Sequence, residues 1–340
     1  MERDTAGWER ERRTLLGQRI SDLGLDISGS PLEPLIARLY QELGARGLVF
    51  RPRVYLSDQW GCPSDVPVIG VPFYLADRRL ARLEAEHSEE VEGEAEVMKY
   101  LRHEAGHAFN YAYRLYDRAD WRETFGPYSR PYRERYRADP LSRDHVRHIL
   151  GWYAQKHPDE DFAESFAVWL TPDFDWREAY AGWPALRKLE YVEQVMSEVG
   201  REAPETPALA EEHLPVEAMH YTVEEHYREA EQSIPLTDER HFDGDLRTIF
   251  RGAAESAESA AAFLRAHRGE LVRRMAYWSG EPASIVRTLL EHLAQRAEVL
   301  GLRVGDREAS ILVDLTAFGT AVLVNFRYTD VLGARPESSP

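Results

Sequence analysis

The chain is short of cysteine, of basic charge and of long apolar runs. One cysteine, Cys62, stands among 340 residues, so no intrachain disulfide can form and a four-cysteine zinc site is excluded. Such a chain reads as a protein of a reducing compartment, and any metal in it must be held by histidine and carboxylate. Lys+Arg number 42 against 59 Asp+Glu, a formal charge of -17. The summed field of such a surface repels polyanions and argues against nucleic acid as a partner. Met1 to Arg13 is charged throughout and lacks the apolar centre of a signal peptide, and no stretch approaches about 18 uncharged apolar residues. The expectation is a cytoplasmic protein with no membrane partner. What the chain does have is 43% hydrophobic residues, ample for a packed core, and twelve histidines.

Apolar residues recur at three- and four-residue spacing from Trp8 to Leu25 and from Leu32 to Leu43, the pattern of amphipathic helices. The period then changes. Val49 to Leu56 and Val66 to Leu75 are rich in Val, Ile, Phe and Tyr and are separated by Gly61, Pro63 and Ser64, which predicts two strands. Pro72 cannot donate to a ladder, so the second strand belongs at a sheet edge or ends there, and an edge near Val71 to Leu75 could receive an extended peptide. Seven glutamates between Glu84 and Glu96 lead into a long helix from about Glu94 to Tyr116. A segment dense in Tyr and Arg follows, Tyr128 to Arg147, then a short helix from Pro158 to Leu170 and a longer one from Trp176 to Val199. Tyr128, Tyr132 and Tyr136 recur every four residues between Arg130, Arg133, Arg135 and Arg137, and would form one aromatic stripe if the segment were helical.

Arg201 to Val216 carries three prolines and few large apolar residues and is the expected linker. It separates a first domain, 1–200, from a carboxy-terminal α/β region, 217–332. There, helices near Gly244 to Ala266 and Pro282 to Leu300 precede two strand-like runs, Ser310 to Thr316 and Ala321 to Tyr328, which read as a β-hairpin turning at Phe318-Gly319. Strand edges there could dock a protein partner. Residues 333–340 read as a disordered tail.

The chemistry lies in His103-Glu104-Ala105-Gly106-His107, an H-E-x-x-H motif inside a helical pattern. Positions i and i+4 share one helix face, so both imidazoles can converge on one metal while Glu104 stands beside them, within reach of a proton on an activated water. Val97, Leu101, Ala105, Ala108, Ala112 and Leu115 form one apolar stripe, and the histidines fall on its border. Gly106 costs about 1 kcal/mol relative to Ala in a helix interior, which points to another backbone passing close by. A catalytic zinc needs three protein ligands and an open position, and the helix after His157 offers candidates. Asp159 suits the helix start as a capping acid. Phe162, Ala163, Phe166, Ala167 and Leu170 define the buried face; Glu160 and Glu164 lie along its edge and can reach inside, whereas Asp161 points outward. His145, His148 and His157 are alternative ligands or proton donors.

H-E-x-x-H on one helix with E-x-x-x-E on a later one is the gluzincin pattern of thermolysin-like metallopeptidases. Glu160 to Phe166 (EDFAESF) is similar to the corresponding stretch of anthrax lethal factor. Val66 to Leu75 (VPVIGVPFYL), His103 to His107 and Asp161 to Leu170 (DFAESFAVWL) together resemble a family of bacterial zinc-binding metallopeptidases, over roughly residues 45 to 200. The resemblance implies an α+β fold: a mostly helical zincin-like catalytic domain with a small sheet carrying an edge strand, followed here by the helical region with its hairpin. It implies one zinc ion on His103, His107 and Glu160, Glu104 as general base, Glu164 as a carboxylate orienting a ligand imidazole, and Tyr153, seven residues before Glu160, as oxyanion stabiliser. The expected function is that of a zinc-dependent metallopeptidase acting on a peptide or protein substrate. Two alternatives belong beside it: a zinc-bearing binding or regulatory protein with little or no catalysis, and a zinc hydrolase acting on a non-peptide amide.

Overall fold

The computed structural model describes residues 2–88, 91–133, 136–204, 214–230, 240–250, 258–304, 308–329 and 332. The chain divides into two units, Met1–Glu231 and Gln232–Pro340, each with its own buried apolar cluster.

The first unit is helical around a two-stranded sheet. Its elements are α1 (Glu2–Leu16), α2 (Glu33–Ala45), β1 (Arg53–Ser57), β2 (Val68–Pro72), α3 (Arg78–Ser88), α4 (Glu94–Ala112), α5 (Ala119–Phe125), α6 (Pro158–Leu170), α7 (Trp176–Ala179), α8 (Leu186–Val199) and α9 (Val223–Ala230). Both strands begin later than their apolar runs. Pro52 cannot donate to a ladder, so β1 starts at Arg53 and pairs in parallel with β2, from Arg53↔Val68 to Ser57↔Pro72. Beyond Pro72 the chain winds into a 3-10 turn, Phe73–Ala76.

Helix α4 opens on Gly93, whose N–H donates to the Glu96 carboxylate at 2.9 Å, and it ends before Arg114, which adopts a left-handed φ of 49°. Pro158 begins α6, with the His157 ring nitrogen Nδ1 accepting the Asp159 N–H at 3.2 Å. Every residue of α6 is buried, because α4, α5 and α8 all pack against it. The single long helix expected from Trp176 to Val199 is instead two, broken where Gly182 takes φ 75° and Pro184 follows it.

The domain boundary differs from the sequence expectation. Residues 205–213 of the expected linker lie outside the described residues, but 214–230 belong to the first unit. Ile20 N–H donates to Tyr221 O at 3.1 Å and Val223 N–H to Gln18 O at 3.0 Å, while Met219, Val223 and Tyr227 enter the first core. Apolar residues spaced for burial outweigh the proline-rich composition just before them.

The second unit is a helical bundle of α10 (Asp243–Ile249), α11 (Ala260–Ala266), α12 (Arg268–Ser279), α13 (Ala283–Val299) and α14 (Glu308–Thr329). The expected β-hairpin is wrong: Ser310 to Tyr328 is one continuous helix. Ile311, Leu315 and Leu323 are buried, and Gly319 completes their four-residue rhythm. Gly319 is a packing position, since a Cβ there would stand 2.5 Å from Met275 Cε. Short β-branched windows mimic strands, and the helical period shows only over the full length. By length and composition Glu308–Arg327 could also span a bilayer, with Asp314 inside it. The tail expected to be disordered, 333–340, lies outside the described residues.

Candidate metal centre

Helices α4 and α6 cross at Gly106 and Ala163. A Cβ on Gly106 would lie 2.7 Å from Ala163 Cα, so only glycine lets the two backbones meet this closely. The crossing lays His103 and His107 directly over Glu160. His103 Nε2, His107 Nε2 and Glu160 Oε2 stand 3.1 Å from one another on all three sides, and all three residues are buried.

This triangle fits a tetrahedral cation. Ligands about 2.0–2.1 Å from zinc are separated by about 3.3 Å, close to the sides observed. The outer ring nitrogens each face a carboxylate. His103 Nδ1 is 2.8 Å from Glu164 Oε1, and His107 Nδ1 is 3.1 Å from Asp159 Oδ2. Asp159 accepts from Asn110 Nδ2 at 2.7 Å and from the Tyr111 hydroxyl at 2.6 Å. Glu164 Oε2 accepts the Ile149 N–H at 2.9 Å. Each imidazole therefore faces the triangle with Nε2 and a carboxylate with Nδ1; His103 is hydrogen-bonded there, as metal-bound histidine commonly is, whereas His107 Nδ1 lies beside Asp159 without a hydrogen bond.

The electrostatics call for positive charge. Four buried carboxylates, Glu104, Asp159, Glu160 and Glu164, surround two imidazoles. Burial opposes protonation of His103, but hydrogen bonds to Glu160 and Glu164 outweigh it and lift it to about 9. His107 likewise rises against its burial, through Asp159 and Glu160. Glu160, against the same burial, is held well below the usual carboxylate range by His107 and His103. Glu104 behaves oppositely: burial pushes it up, and the histidines only partly offset this. It is the one acid of the four shifted upward, the other three being held down by the imidazoles.

A cavity of about 350 Å³ opens on the triangle, lined among others by Trp60, Cys62, Glu104, Tyr128, Tyr132 and Tyr153. The Tyr153 ring lies 5.6 Å from that of His103, and Lys156 Nζ donates to its hydroxyl at 3.4 Å. Burial first, then Glu160 and Tyr132 beside it, push this phenol well up, so it stays a donor. The Cys62 thiol, also raised by burial, donates to Val66 O at 3.2 Å.

Several sequence expectations change here. Asp161 does not point outward: it is buried and paired with Lys188 Nζ at 2.6 Å, because α8 covers the far side of α6. Asp159 does more than cap, since it bears on His107. Val71 to Leu75 does not offer the cavity a free edge. The chain from Phe73 is a 3-10 turn and none of Val71 to Leu75 lines the cavity; the segment Trp60 to Cys62, bridged to Gly70 through Gly61, does. His145, His148 and His157 stay outside the triangle. His148 Nε2 donates to Lys99 O at 3.1 Å, His145 lies 3.8 Å from Asp161, and His157 Nε2 donates to Arg130 O at 2.7 Å. The Tyr and Arg segment forms no helix among its described residues; it brings Tyr132 to the site, where its hydroxyl donates to Glu160 Oε1. Nothing in the local sequence distinguished Tyr132 from its neighbours.

No family model, no curated protein and no solved structure matches this chain.

Proposed function

We propose that the chain is a zinc-dependent metallopeptidase. The reading is carried by one observation: His103 Nε2, His107 Nε2 and Glu160 Oε2 form a buried triangle with 3.1 Å sides at the floor of an open cavity. Zinc held there would lower the pKa of water to about 7 and polarise a carbonyl oxygen. Glu104, raised by its burial, accepts the proton released by the attacking water and passes it to the leaving amine. Tyr153, protonated at neutral pH, donates to the oxygen that gains charge in the transition state. Glu164 and Asp159 keep the imidazoles in the orientation that presents Nε2. A base set beside the triangle favours hydrolysis over a purely binding role, because recognition alone needs no proton acceptor there.

Glu104→Gln tests this directly. The variant should retain one zinc per chain and lose peptide cleavage by at least about 100-fold, assayed on a peptide library with and without chelator. Cleavage at the wild-type rate, or wild-type cleavage indifferent to chelator, refutes the mechanism; chelator-sensitive hydrolysis of other amides alone redirects it to a non-peptide substrate.

A further inference from the structure

We propose that Tyr132 is a positioning residue of the metal centre, tying up one oxygen of Glu160 so that the carboxylate meets an ion through its other oxygen alone. The inference rests on the metal reading of the site but not on the reaction.

The two oxygens of Glu160 have different surroundings. Oε2 stands 3.1 Å from both imidazole nitrogens, whereas Oε1 accepts the Tyr132 hydroxyl. A carboxylate with both oxygens unengaged can chelate one ion and fill the position a catalytic site keeps open. With one oxygen hydrogen-bonded, it presents a single donor atom.

Tyr132 is held there by more than that bond. It belongs to the irregular stretch between α5 and α6 and is 49% exposed, so no helix or strand fixes it. Its ring instead carries Lys156 Nζ at 4.4 Å from the centroid, a cation–π contact made by a lysine only 8% exposed. The ring also tilts against His157 at 5.3 Å. His157 fixes the backbone two residues earlier through Arg130 O at 2.7 Å, and it caps the same helix that bears Glu160. Tyr132 and Glu160 are thus anchored on one another and on a shared residue. Lys156 also reaches the Tyr153 hydroxyl, but no hydrogen bond joins that phenol to Glu160 among the described residues.

Cobalt replacing zinc in the full chain reports coordination number through its visible absorption, independently of turnover. Tyr132→Phe removes one hydroxyl from a half-exposed residue and should keep the metal, yet its cobalt absorption should fall severalfold as the freed oxygen joins the ion. Lys156→Met should move the spectrum in the same direction, and Tyr153→Phe, whose lost hydroxyl meets that of Tyr132, should move it less than Tyr132→Phe does. A Tyr132→Phe spectrum that superimposes on wild type overturns the proposal, as does a shift seen only in Tyr153→Phe. A wild-type chain that binds neither zinc nor cobalt refutes the metal reading itself, a separate outcome.

Discussion

Asp159 and Glu164 flank the site from opposite ends. Each sets a carboxylate against the outer nitrogen of one imidazole, His107 and His103 respectively. Glu164 stood out in the sequence because it is one turn beyond Glu160 on the edge of the buried face. Asp159 did not, because the first turn of any helix favours an acid and its partners Asn110 and Tyr111 lie on another element. Asp159→Asn keeps the shape and removes the charge. Its zinc affinity, read by competition with a chromophoric chelator, should fall about 10- to 100-fold; affinity equal to wild type would leave Asp159 to its bonds with Asn110 and Tyr111.

At the scale of elements, the site is made by one helix crossing. Gly106 predicted a close backbone from its cost inside a helix, and Ala163 on α6 is that backbone. Gly106→Ala sets two effects against each other. Helix propensity alone favours Ala by about 1 kcal/mol, while a Cβ 2.7 Å from Ala163 Cα must push the helices apart, an overpacking cost of about 1–3 kcal/mol. The clash should win: a lower melting temperature together with weaker zinc binding. A more stable variant would show that the crossing yields without cost. Element type was legible wherever a single face repeats, as in α4 and α6. It failed in α14, where the apolar residues cover so much of the helix that short windows carry no period, and at the break between α7 and α8, where Gly182 and Pro184 interrupt an otherwise continuous helical pattern.

Across the whole molecule, acid sensitivity follows from partly buried histidines held without charge. Burial first, with nearby cations, pushes His145 down to about 4, and burial pushes His148 down to about 4. An unfolded histidine titrates near 6.5. Their contribution is therefore complete above about 6.5 and is lost as pH falls toward 4, because the unfolded chain then binds more protons. Asp161 opposes this, since burial raises it to about 7 despite Lys188; in the same interval the folded state is the one that binds its proton. His148→Gln can keep a donor to Lys99 O and removes one titration, so its melting temperature should fall less steeply than wild type between pH 6.5 and 4. Parallel slopes in thermal scans would show that His148 is not held neutral.

The sequence by itself narrowed the possible donors. With one cysteine, any metal site had to be built from histidine and carboxylate, and helical spacing placed His103 and His107 together because i and i+4 share a face, with Glu104 next to them in the chain. It also nominated Glu160 and Glu164, one turn apart on the edge of α6. Only the tertiary structure decided what surrounds them. Asp161 turned inward because α8 covers the side that a single-helix projection leaves to solvent. Tyr132 reached Glu160 along irregular chain, which has no period to read. Gly61 bridged to β2 at Gly70, which has no side chain to keep it away, and the chain expected to offer an edge turned into a 3-10 helix at Phe73. Periodicity reports the face an element presents, but which partner meets that face depends on contacts between residues far apart in the chain.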